Sequence, residues 1–157
     1  MALPPFQALI DSHADAVHRF LVGSVGPGEA DDCFQETFIA ALRAYPRLRP
    51  DSNVRGWLFA VARSKAMDAH RGRRRRPVPV AEVPERIAHT SATDGADRDG
   101  ELWSAVRELP EKQRAAVVLR FACDLSHRDI ARALDCSDAA ARRSVHEGIK
   151  RLREVTT

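Results

Sequence analysis

Five cations and one imidazole crowd the segment AARRSVHEGIKRLR near the C-terminal end of the sequence. Arginine offers a planar fork of donors that matches the two acceptors on a guanine edge, whereas lysine acts as a point charge toward phosphate. Arg142, Arg143 and His146 fall early in this segment, and Lys150, Arg151 and Arg153 fall later. That order suits base-edge reading first and phosphate contacts beyond. A bland reading is a solvated helix whose cations answer its C-terminal dipole. It accounts for Lys150, Arg151 and Arg153 better than for Arg142 and Arg143. A second basic set, Arg55, Arg63, Lys65 and Arg71, leads into the run RGRRRR. Covalent chemistry finds no comparable support, since no Ser/His/Asp or paired-carboxylate constellation is visible and the six histidines are dispersed. Pairing Cys123 and His127 with Cys136 and His146 as a zinc site matches no common ligand spacing. With Cys33 the only other cysteine, buried small thiols are expected, with no metal and no other cofactor.

These side chains need helices to position them. Residues 6–21 repeat apolar groups at a helical period, and VGSVGPGEA then reads as a loop. A second helix is expected from about Ala30, with Phe34, Phe38, Ala41, Leu42 and Tyr45 on one stripe. Pro46 and Pro50 bound a short basic loop, and a third helix follows with Val54, Trp57, Leu58, Val61, Ala62, Ala66 and Ala69 facing inward. Trp57 on that stripe reads as core. From Pro77 to Gly100 the composition turns to proline, small and acidic residues without period, as a flexible linker would. Helical pattern resumes at Glu101, breaks at Pro110, and continues in EKQRAAVVLRFA. Ser126 with Asp129 three residues on forms a capping-box pattern, and Ser137 caps the next helix. Two short helices across a tight turn suit a helix-turn-helix, which places its second helix in the major groove. The fold expected is all-α: two small helical bundles joined by a flexible linker, the C-terminal one a helix-turn-helix.

Charge sharpens the division. The chain has 157 residues, 44% of them apolar and 6% aromatic, with net charge +3. Residues 11–36 carry one base and six acids, and residues 42–76 carry eleven bases and two acids. Residues 77–111 carry three bases and eight acids, and residues 112–157 carry ten and six. Alternating blocks imply two surfaces for a polyanion and an acidic face for a basic partner. They also allow a closed state in which the acidic blocks mask the basic ones. The longest unbroken apolar run is WLFAVA, far too short for a membrane span. The protein is therefore expected in the cytoplasm, with no membrane contact of its own.

The whole pattern resembles the extracytoplasmic-function (ECF) sigma factors of bacterial RNA polymerase. EADDCFQETFIAALRAY is similar to the acidic helix with which that family grips the polymerase clamp, with Asp31, Asp32, Gln35 and Glu36 on the matching positions. NVRGWLFAVARSKAMDAHRGRRRR resembles the helix F-R-x-W-L-Y-x-I-A-R-N-x-x-x-D, matching at Arg55, Trp57, Leu58, Ala62, Arg63 and Asp68. The resemblance implies that Arg55, Arg63, Ser64, Lys65 and Arg71 serve the −10 element, where an opened strand and a flipped base need a cationic surface and a pocket. Ser64 stands where the family has asparagine. HRDIARALDCSDAAARRSVHEGIKRLR resembles the −35 reader, which implies DNA contacts by Arg128, Ala140, Arg142, Arg143, His146 and Lys150. Here Asp135 replaces the turn glycine, and Ala139 and Ala140 replace glycine and threonine.

What the resemblance implies is a promoter-specificity subunit with three partners: core RNA polymerase, promoter DNA and an anti-sigma factor. Residues 1–76 would bind polymerase and the −10 element, 77–100 would link, and 101–157 would bind the −35 element. RNA synthesis would belong to the polymerase, so no catalytic residue is expected. The alternative is a helix-turn-helix regulator that never becomes a polymerase subunit.

Overall fold

The computed structural model describes residues 2–75 and 94–156. The first bundle comprises α1 (Phe6–Val25), α2 (Pro27–Ala44), a 3₁₀ turn (Tyr45–Arg47) and α3 (Val54–Arg75). The second comprises α4 (Asp94–Glu108), α5 (Glu111–Val117) running into a π-helical turn (Val118–Ala122), α6 (His127–Leu134) and α7 (Asp138–Thr156). No strand occurs among the described residues, in line with the all-α reading.

The expected loop before α2 contracts to a single residue. Gly26 has φ +84°, a left-handed conformation that glycine adopts at little cost, and Pro27 follows as the first residue of α2. Because glycine turns the chain at once, α1 reaches Val25 rather than ending near Leu21. On α2 the buried set is Ala30, Cys33, Thr37 and Ala41. Leu42, expected on the inward stripe, is instead 55% exposed, because the buried arc lies one position round the helix. The Thr37 hydroxyl is fully buried and donates to the Cys33 carbonyl at 2.6 Å, so it carries no unsatisfied polar group.

Helix α3 departs most from a one-faced pattern. Trp57, Leu58 and Phe59 are consecutive and all buried. A helix apolar nearly all round must be covered nearly all round. Here α1 and α2 cover one side and α6 another. Phe59 meets Phe20 edge-to-face at 6.0 Å, and Trp57 packs near Tyr45 at 6.2 Å. A single contiguous core thus runs from Leu9 through Leu58 to Val145. Each fully buried leucine or phenylalanine in it contributes about 1.5–3 kcal/mol relative to exposure.

In the second half, α4 begins at Asp94, inside the stretch read as linker, an acid-rich sequence that suits a helix N-terminus. The rest of that stretch, 77–93, lies outside the described residues. The expected helix EKQRAAVVLRFA loosens into the π turn, where the Cys123 N–H reaches back five residues to the Val118 carbonyl. Asp124 then takes φ +55° and redirects the chain into α6.

Candidate nucleic-acid interface

The helix-turn-helix is built as its capping residues require. The Ser126 hydroxyl accepts from the Asp129 N–H at 3.1 Å, and the Ser137 hydroxyl accepts from the Ala140 N–H at 3.1 Å. Between them Asp135 takes φ +52°, a conformation that aspartate tolerates better than most residues. Ile130, Ala131, Leu134, Ala141 and Val145 close the space between α6 and α7. This fixes which face of α7 remains outside. Arg142, Arg143, His146 and Lys150 are all exposed and share one arc of the helix. Arg128 on α6 is exposed as well, whereas Ala140 is half-buried with its N–H already used by the cap. Burial, then the charges of Arg142 and Arg120, hold the His127 imidazole below its ordinary pKa.

The residues expected at the −10 strand behave differently from one another. Ser64 and Arg71 are exposed, with Arg71 paired to Asp68 on its own helix, and Lys65 is half-buried. Arg63 and Arg55 turn instead toward the second bundle. Arg63 donates from Nε and Nη2 to the two Glu111 carboxylate oxygens at 2.7 and 2.8 Å, and from Nη1 to the Leu134 carbonyl at 3.4 Å. Arg55 donates to the Cys123 carbonyl at 3.2 Å and lies 3.9 Å from the Asp129 carboxylate. The Glu111 hydrogen bond raises the Arg63 guanidinium above its ordinary pKa despite burial. Burial alone would raise Glu111, but Arg63 and the charges of Arg114 and Lys112 bring it below. Asp129 leaves its own capping box half-made: its carboxylate accepts from the Asn53 amide at 2.8 Å rather than turning back on Ser126. Sequence reading missed Asn53, Glu111 and Asp129 as partners, because nothing local marks a contact between residues this far apart in the chain.

The acidic set lies on the outer face of α2, where Asp31, Asp32, Gln35 and Glu36 are all exposed. His18 on α1 donates to Asp31 at 3.1 Å. Only Glu29 falls in the first turn, so dipole compensation does not explain the other acids. Ile39 and Leu42 stand 51% and 55% exposed on the same helix. Acids beside exposed aliphatics suit a protein surface more than a nucleic acid. The second bundle also carries an open apolar groove of about 280 Å³, lined by Leu102, Trp103, Phe121, Ile149 and Leu152 among others. Ile149 and Leu152 are partly buried and also pack against the core. Among the described residues no group of acidic, histidine or cysteine side chains could hold a metal ion, and no helix is long and apolar enough to cross a membrane.

Comparison with known proteins agrees with this geometry. The model of Sigma-70 region 2 matches residues 9–76, and that of Sigma-70 region 4 matches residues 99–152. RNA polymerase sigma factor CarQ of Myxococcus xanthus is 31% identical, over 96% of this chain and 88% of CarQ. ECF RNA polymerase sigma factor SigE of Mycolicibacterium smegmatis is 33% identical, over 98% of this chain. The chain belongs to the ECF sigma factors. It spans 62% of the length of SigE. The same fold recurs in two solved structures, each 22% identical with a TM-score of 0.73 and covering 96% of this chain. One is CnrH in complex with the cytosolic domain of CnrY, matched over 86% of that chain. The other is RpoE of Bartonella quintana in complex with the anti-sigma factor NepR, matched over 96%. The Sigma-70 matches fall on the helices that carry the acidic face, the Arg63 face and the helix-turn-helix.

Proposed function

We propose that this ECF sigma factor docks on core RNA polymerase through Asp31, Asp32, Gln35 and Glu36 and directs it to promoters by reading −10 and −35 elements. Residues 1–76 form the polymerase and −10 module, 77–100 the connection, and 101–157 the −35 module. The observation that carries the reading is the coexistence of an exposed acidic face on α2 with the capped helix-turn-helix that presents Arg142, Arg143, His146 and Lys150. A regulator acting without polymerase has a use for the second and none for the first.

Each element then has a role. Arg142 and Arg143 enter the major groove near the start of α7 with His146, while Lys150 and Arg128 contact phosphates. Arg55, Arg63, Ser64, Lys65 and Arg71 hold the opened −10 strand, and burial of Trp57 keeps it a support for that surface. Strand capture and recognition involve no covalent step by this chain. RNA synthesis belongs to the polymerase, and the cytoplasm is where the two meet. An anti-sigma partner is part of the proposal, supported by the complex of the sigma factor RpoE with the anti-sigma factor NepR.

Run-off transcription with purified core polymerase tests the reading, using Asp32→Ala/Gln35→Ala and Arg142→Ala/Arg143→Ala. The first pair should lose core binding and all transcripts. The second should keep core binding and lose promoter choice, since a lost bidentate base contact costs about 1–3 kcal/mol. Normal core binding by the first pair together with normal promoter choice by the second overturns it.

A further inference from the structure

Among the described residues, the large apolar side chains that stand exposed are Ile39, Leu42, Leu102, Phe121 and Val155. They fall in two places. Ile39 and Leu42 lie on α2. Leu102 and Phe121, 42% and 64% exposed, line the open groove of the second bundle. Val155 follows one turn after Leu152, another residue of that groove. Contiguous apolar surface of this kind marks a place where a second surface sits.

The two patches suit each other in form and in charge. Asp32, Gln35, Ile39 and Leu42 recur at i, i+3, i+7 and i+10, so they make one stripe down the outside of α2. That is the pattern of a helix that lays one face into an apolar groove. The stripe begins among the exposed acids Asp32 and Glu36, and the groove is bordered by cations. On its π-turn side the exposed Arg19 donates from Nε to the Ala122 carbonyl at 2.9 Å. On its α7 side the exposed Lys150 follows Ile149, with the offsetting charges of Arg153 and Glu154 a turn further on. Arg43 ends the stripe beside Leu42, and the exposed Glu101 beside Leu102 gives that one cation an acid to meet. The inner edge of α2 is buried at Ala30, Cys33, Thr37 and Ala41, so the stripe cannot turn into the groove of its own chain.

We propose that two copies of this chain pair reciprocally, each laying the α2 stripe of Asp32 to Leu42 into the apolar groove of the other's second bundle. A two-fold pair makes the contact twice, so both patches of both copies are covered and no contact is left over for growth. α2, α4 and the π turn all pack against α1, so one helix fixes the spacing of stripe and groove within each copy. Pairing and the polymerase docking proposed for α2 exclude each other, but the pairing itself does not rest on that reading.

Sedimentation of the full chain over a wide range of concentration reads the pairing. Wild type should pass from the 17.4 kDa monomer to a dimer as concentration rises. Leu42→Asp and Phe121→Asp each set a charge in the apolar contact, and each alone should weaken pairing by about tenfold or more. Both side chains are exposed in the single chain, so neither change disturbs its fold. An equimolar mixture of the two variants should pair again, more weakly than wild type, because one intact stripe then meets one intact groove. Trp103, on the groove wall, should lose its quenching by iodide as the wild-type dimer forms, over a constant background from the buried Trp57. A wild type that stays monomeric overturns the proposal, as does a mixture that pairs no better than either variant alone. Growth beyond the dimer overturns the reciprocal arrangement. Trp103 protected equally at every concentration means that the groove is filled from within the chain, and overturns the proposal as well.

Discussion

α3 and α7 are both basic helices, yet they meet opposite surroundings. On α7, Arg142, Arg143 and Lys150 face solvent, and the helix is fastened along its inner edge, where Ala141, Val145 and Gly148 are buried. On α3, Arg55 and Arg63 meet carbonyls and carboxylates from the other half of the chain. Composition does not separate the two cases. The difference is made by Glu111, in the acidic block between the basic ones, and by Gly56, where a Cβ would stand 2.6 Å from the Arg132 Cβ, so that only glycine lets the helices close. A basic helix is available to DNA only when its own fold has not already neutralised it.

The largest expected effect removes the helix that is covered. Phe59 is fully buried against Phe20, and Phe59→Ala should lose about 3–5 kcal/mol in urea denaturation, taking the α3 side of the comparison away. Gly148→Ala sharpens it instead. A Cβ at Gly148 on α7 would sit 2.5 Å from a Val117 methyl and 3.3 Å from the Gln113 carbonyl, both within the second bundle. No separation of the bundles relieves that clash, so overpacking should cost roughly 1–3 kcal/mol. Gly56→Ala, relieved by opening, should move the unfolding midpoint less than Gly148→Ala does.

How much of this was visible in the sequence follows the range of the interactions. The α6–turn–α7 hairpin was readable because its signals are local: Ser126 and Ser137 cap as expected, and Asp135 takes the left-handed turn. The inner stripe of α3 was also readable from its period. Phe59, off that stripe, is buried by contacts from other helices. The end of α1 was misjudged because VGSVGPGEA contains several breakers and only Gly26 takes a positive φ. Leu42 was placed inward by a period that fits two neighbouring arcs of α2 equally well. The pairings of Arg63 with Glu111 and Asn53 with Asp129 left no local trace at all, since each spans two bundles.

Smaller effects probe each side of the comparison. Lys150→Ala should weaken duplex DNA binding by the polymerase-bound factor for all sequences alike, lowering the slope of log affinity against log salt by about 1. A slope unchanged from wild type would remove Lys150 from the phosphate contacts. On the covered side, burial and then the Arg55 charge hold the His13 imidazole below its ordinary value of 6.5, against the pull of Asp129. The unfolded chain therefore takes the proton first, and the stability due to neutral His13 is lost as pH falls below about 6.5. His127 shifts in the same direction, so His13→Gln should flatten the decline of stability with acid only in part. A decline identical to wild type would show that His13 does not report on the closed state.

The most direct test uses the chain's own cysteines. Cys123 ends the π turn against α1, with its thiol 3.2 Å from the Ala16 carbonyl, and burial pushes its pKa up to about 12. Cys33 is buried within the first bundle, and Cys136 is partly exposed at the turn. Alkylation rates with iodoacetamide, resolved by mass spectrometry, compare all three in wild type and in Gly56→Ala. If the two halves close on each other through α3, Cys123 is protected like Cys33 in wild type and reacts like Cys136 in Gly56→Ala, while Cys33 stays protected in both. A Cys123 that matches Cys136 in wild type, or stays protected in Gly56→Ala, contradicts the closed contact.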